Sequence, residues 1–151
     1  MAGARLRLDY EMADREIAQG LQRLARQGAD MRDAFGDIGE ELLNSTRRRF
    51  ELEQAPDGTS WPALDPAYRR RKDRNADKIL QYQGFLFGTL DYRPDTDHVA
   101  VGSPLIYAAT HQFGDEERGI PARPFLGLSE DDREQVVDIL QRHLRRALHG
   151  G

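Results

Sequence analysis

The sequence predicts an α+β fold, a single domain of long helices packed on a small antiparallel sheet. Three observations carry this. Three long segments repeat their apolar residues at helical spacing, and short segments elsewhere alternate at the period of a half-buried strand. Two of the alternating runs flank Pro94-Asp95-Thr96-Asp97, as the arms of a hairpin flank a turn. A length of 151 residues fits one domain. Hydrophobic residues make up 38% and charged residues 32%, wetter than an average globular domain. That balance suits a small domain with much exposed surface, or a subunit that finishes its packing against neighbours.

Arg5 to Tyr10 alternates polar and apolar and reads as the first strand. From Ala13 the period lengthens: Ala13, Ile17, Leu21 and Leu24 share one helical face, and Gly28 stands where such a helix ends. Asp30 is a candidate N-cap for a second helix, whose stripe is Met31, Phe35, Ile38, Leu42, Thr46 and Phe50. Gly36 and Gly39 weaken that helix unless they permit a close approach of another backbone.

Residues 54–66 hold three prolines and Pro56-Asp57-Gly58, an ordered loop pinned by Trp61. Arg69 to Lys78 carries six cations against two anions. An apolar helical segment follows, with Ile79, Tyr82, Leu86 and Leu90 on one side. Leu90 to Gly102 reads as the hairpin, with Pro94 at an edge or at its strand's own end. Leu105 to Phe113 is a short apolar helix or turn, and Gly114 to Arg118 a charged loop. Ser129 caps the last helix, Glu130, Asp131 and Asp132 occupy its first turn, and Val136, Leu140, Leu144 and Leu148 form its stripe.

The chemistry of an enzyme is missing from this pattern. His98, His111, His143 and His149 stand at no metal-ligand spacing, and His143 and His149 are expected to face solvent. The glycines form no phosphate loop, and the serines sit in no nucleophile context. No cysteine is present, which removes disulfides and thiolate sites and fits a reducing compartment. No cofactor or metal is expected. The net charge of −4 argues against a dedicated nucleic-acid binder. No apolar run is long enough to span a bilayer and the N-terminus has no signal-like core, so a soluble, cytoplasmic product with no membrane partner is expected.

The order of motifs resembles a known family. Phe50, Pro56-Asp57-Gly58-Thr59-Ser60-Trp61-Pro62-Ala63-Leu64, Tyr68 and Lys72 are followed by Leu80, Gly84-Phe85-Leu86 and Val101-Gly102. Then come Tyr107-Ala108, His111-Gln112-Phe113-Gly114 and Pro121-Ala122-Arg123-Pro124-Phe125-Leu126-Gly127-Leu128. From about Asp30 to Leu148 the chain is similar to the phage virion morphogenesis family of P2-like and Mu-like phages, with residues 1–28 carrying less of the likeness. The resemblance implies a structural, non-enzymatic virion protein with a tail-component or neck-protein-like fold. It implies a homo-oligomeric ring at the neck, between portal-side connector proteins and the tail tube or its terminator, assembled in the bacterial host cytoplasm. DNA passing through the lumen makes passive contact at most. A tail-tube terminator and a nucleic-acid-contacting module are the alternatives.

Candidate interface residues follow from chemistry. Trp61 is either an anchor for a partner or a cap on its own core. Arg69, Arg70, Arg71 and Lys72 form either a solvated helix face or a patch for an anionic partner. His111, Gln112 and Phe113 lie beside the charged loop, and Arg123 offers a fork that can clamp a carboxylate within the subunit or across an interface. Phe125 is expected in the core, because the last helix needs cover. The loop 54–66 and the hairpin tip 94–97 are the segments expected to reorder on assembly.

Overall fold

A computed structural model describes residues 3–64 and 85–150. The elements are β1 (Ala4–Asp9), α1 (Arg15–Arg26), α2 (Met31–Leu52), α3 (Phe85–Gly88), β2 (Asp91–Pro94), β3 (His98–Ser103), α4 (Ile106–Phe113) and α5 (Glu130–His149). The fold is α+β, as the sequence predicts. The basic segment Arg69–Lys78, and with it Arg69, Arg70, Arg71 and Lys72, lies outside the described residues, as do Ile79 and Tyr82. Of that helical segment only α3 is described, and Leu90 sits just past it, buried with Leu86.

The sheet runs β1-β3-β2, antiparallel throughout. Its central strand is therefore the later arm of the hairpin, and the N-terminal strand pairs with it from Ala4↔Ser103 to Asp9↔His98. Pro94 ends β2 on an edge, where its missing N–H costs no ladder bond. Helix α2 packs against β2, β3 and α5, and α1 lies on α5. Alternation along β3 sends Val99 and Val101 into the core beneath α2.

Gly39 is what lets α2 settle so closely. A Cβ there would lie 2.5 Å from the Tyr92 ring and 2.8 Å from a Val99 methyl, whereas one on Gly36 would meet nothing. The helix begins where Asp30 accepts the Asp33 N–H at 3.1 Å, and α1 begins where Asp14 accepts that of Ile17 at 3.1 Å. In α5 Ser129 and Asp132 form a full capping box: the Asp132 N–H donates to Ser129 Oγ at 2.9 Å, and the Ser129 N–H donates to the Asp132 carboxylate at 3.0 Å.

The stripe of α5 departs from expectation at its far end. Leu148 is 56% exposed, and the buried line is Val136, Ile139, Leu140 and His143. Four-residue steps precess by about 40° each on a helix of 3.6 residues per turn, so a strict i+4 series winds off the core. Alternating three and four keeps it there. The same geometry corrects the expectation for His143, which is 5% exposed, with Nε2 2.7 Å from the Asp37 carboxylate on α2. His149 is exposed, as expected.

Candidate functional site

The segment Pro121 to Leu128 crosses the molecule as an extended strap without ladder partners of its own. Its two prolines hold it extended, and side chains from three other places satisfy its backbone. Trp61 Nε1 donates to Pro124 O at 2.7 Å, and Arg49 Nη1 to Phe125 O at 2.9 Å. Gln112 acts as a substitute strand. Its Oε1 accepts the N–H groups of Phe125 and Leu126, both at 3.0 Å, and its Nε2 donates to Leu126 O at 3.0 Å. The Arg123 N–H completes the seam by donating to His111 O at 2.7 Å.

Arg123 holds no carboxylate among the described residues. Its Nε donates to Pro62 O at 2.9 Å and its Nη2 to Ala63 O at 3.0 Å, so its fork grips two successive carbonyls of the Trp61 loop. Burial pushes this guanidinium below its ordinary pKa, an effect partly opposed by Glu53. Trp61, left open between anchor and core by its sequence, is buried and meets Phe50 edge-on with centroids 5.4 Å apart. Phe125 is fully buried with its ring 5.6 Å from the same Phe50, so it has no surface to offer a partner. It sits in the core, as its sequence position ahead of the last helix predicts.

Beneath the strap lies a polar cluster that sequence reading missed. Arg49 and Asp132 form a buried ion pair, and Ser45 Oγ donates to the same carboxylate. Burial lowers the Arg49 pKa, and Asp132 opposes the shift. The signal was present: Ser45 and Arg49 fall on the Leu42 to Thr46 side of α2, and Asp132 stands at the third position after a Ser cap.

What this framework braces is α4. The helix buries Ala108, yet leaves Ile106 78% and Phe113 74% exposed, with Tyr107 also open. Seven residues apart, Ile106 and Phe113 lie on one face, two turns of apolar surface without cover from the described residues. His111 lies partly buried behind Tyr107, its ring 5.8 Å away and its Nδ1 buried without a hydrogen-bond partner among the described residues. Burial first, then Arg123 and Arg118, hold its pKa below the ordinary histidine value.

At the hairpin tip Asp95, Asp97 and His98 bring potential ligand atoms within 4.8 Å of one another. Their bonds are those of a turn: His98 Nδ1 lies 2.7 Å from Asp97, and Asp95 accepts the Thr96 N–H at 2.7 Å. No helix among the described residues is long and apolar enough to cross a membrane.

The profile of the phage virion morphogenesis family matches residues 12–145, so it begins ahead of α1 and takes in that helix as well. The chain is 33% identical over 143 residues to Mu-like prophage FluMu G protein 1 of Haemophilus influenzae, covering 92% of this chain and 96% of that protein. It is 32% identical over 117 residues to putative capsid assembly protein G of Escherichia phage Mu, covering 71% and 75%. Tail completion protein S of Escherichia phage P2 is 27% identical over 123 residues, covering 73% and 81%. No solved structure matches the chain.

Proposed function

The chain belongs to the phage virion morphogenesis family, and on that footing we propose that it is a structural, non-enzymatic subunit of the head–tail connection. It acts as a neck or tail completion protein, forming a homo-oligomeric ring that joins the tail to the DNA-filled head. Its neighbours are the connector on the portal side and the tail tube or its terminator, and DNA passes through the lumen without specific contact. It assembles in the host cytoplasm and stays in the virion.

The observation that carries this reading is the apolar face of α4. Exposed Ile106 and Phe113 on a two-turn helix cost solubility unless a partner covers them. The strap behind that helix is hydrogen-bonded from α2, the Trp61 loop and Gln112, so the face is presented on a stiff support. Preorganised surfaces of this kind lose little entropy on docking. The isolated subunit is expected to be a monomer or a weak oligomer, closing into a ring only on its partners.

Electron microscopy of a lysate from a phage or prophage with an early stop codon in this gene tests the role. DNA-filled heads beside separate tails of normal length are expected. Tails of runaway length would instead identify a tail-tube terminator, and normal joined particles would refute a part in morphogenesis.

A further inference from the structure

The solvent face of the sheet carries a basic trough. Register places Arg5 opposite Gly102 and Gly102 opposite Asp91, with Arg7, Ala100 and Arg93 in the next row. Gly102 and Ala100 leave the floor low between arginines on the outer strands. The hollow is about 250 Å³, closed at one end by Pro104 and by Thr89 and Ser103, whose hydroxyls are 2.8 Å apart. Arg7 is neutralised by Asp9 at 2.9 Å. Arg5 and Arg93 are both exposed and make no ion pair among the described residues. The one carboxylate in the trough, Asp91, accepts the Tyr92 N–H at 2.8 Å.

The loop after α4 carries the opposite charge on a rigid tip. Asp115 and Ile120 exchange both backbone hydrogen bonds at 2.8 Å, and Gly114 and Gly119, at φ 78° and 69°, supply the turns that L side chains resist. Arg118 is held by Asp115 at 2.7 Å. Glu116 and Glu117 are left exposed at the apex, with no ion pair among the described residues.

We infer that this acidic tip docks into the basic sheet trough of a second copy of the chain. Arg5 and Arg93 stand on the two outer strands in adjacent rows, two strand spacings across and two residues along, about 12 Å apart between Cα atoms, a span that two adjacent glutamates on a turn can bridge with extended side chains. Each subunit carries one tip and one trough, so the contact is head-to-tail and propagates around a ring when the rotation closes. Exposed Phe113, at the base of the tip, enters the same contact and gives it an apolar centre beside the charged pairs. This inference rests on the ring reading above and names the surfaces that build it.

The test is charge reversal in a prophage complemented from a plasmid. Glu116→Arg with Glu117→Arg, and separately Arg5→Glu with Arg93→Glu, are each expected to cut the titre of infective particles by about a hundredfold or more, since like charges then face each other across the contact. All four reversals together are expected to restore most of the titre. Circular dichroism of each purified variant, unchanged from the parent, shows that folding is intact. If neither reversal lowers the titre while the stop codon still leaves unjoined heads and tails, the docking is wrong and the neck reading stands. If both lower it and the combination rescues nothing, the trough and tip serve other partners and the docking is equally overturned. If the stop codon leaves joined particles, the reading beneath it fails as well.

Discussion

Replacing Asp132 by alanine strands a guanidinium in the core. Asp132 is 1% exposed, and it receives Arg49, Ser45 and the Ser129 N–H. Breaking a buried pair by removing one partner costs about 3–5 kcal/mol. Loss of half the capping box adds about 1 kcal/mol, for a total of about 4–6 kcal/mol. At about 2–4 °C per kcal/mol for a chain of this size, the midpoint of thermal unfolding falls by about 10–20 °C. Adding Arg49→Met removes the stranded charge. The Phe125 carbonyl then loses its donor, at about 1–3 kcal/mol, so the double variant is expected to be about 2 kcal/mol more stable than Asp132→Ala alone. Urea unfolding followed by circular dichroism measures both. A cost below about 1 kcal/mol for Asp132→Ala, or a second substitution that adds a full penalty of its own, would refute the view that Arg49 depends on this carboxylate.

The two glycines of α2 separate by sign. Gly36→Ala should stabilise by about 0.5–1 kcal/mol, the helix-propensity gain in open space. Gly39→Ala should destabilise by about 1–2 kcal/mol, because its Cβ meets the Tyr92 ring and Val99; denaturant melts of the pair decide it. His111 gives a pH dependence. Its folded pKa lies below the unfolded value of 6.5, so the unfolded chain binds more protons between the two, and stability falls as pH drops from 7 through that window. Melts of wild type and His111→Phe across pH 7 to 5 should show a shallower loss in the variant, and parallel curves would count against the buried, cation-flanked ring. Finally, Ile106→Asp and Phe113→Asp should leave unfolding within about 0.5 kcal/mol of wild type while abolishing complementation of a stop-codon prophage. Retained complementation would remove α4 from the assembly face.

Much of the architecture was legible because each element is locally over-determined. Asp30 and Ser129 cap the helices assigned to them, Gly28 ends α1 at φ 73°, and Pro94 closes β2. The sheet order was not, since no local signal says that β1 inserts beside the returning arm of the hairpin. His143 was misplaced because its position at a cationic helix end suggested solvent, while partnership with Asp37 depends on how two helices far apart in sequence cross. At the site, Arg123 and Gln112 stood out by type, but their partners are backbone atoms, which have no letters to read. The exposed apolar face was legible only in part: Phe113 was an interface candidate by its place beside the charged loop, while Ile106 looks like a core residue until the three-dimensional packing shows that α4 buries Ala108 alone.

The placement of β1 has a consequence for how the chain is made. Ala4 cannot find Ser103 until about two thirds of the polypeptide exists, and α1 cannot find its cover on α5 until almost all of it does. At a synthesis rate of about 5–20 residues per second the first strand waits about 5–20 s for its ladder. During that interval the stripes of α1 and α2 are without cover, and a chain released early keeps them so. It lacks the strap and the last helix together, and exposes Phe50 and Trp61 to proteases and chaperones. The acidic tip and the sheet trough both lie ahead of the last helix in the chain, so that helix is the final piece of cover to arrive. The apolar stripes laid down first in synthesis are thus covered last, by the element at the far end of the sequence.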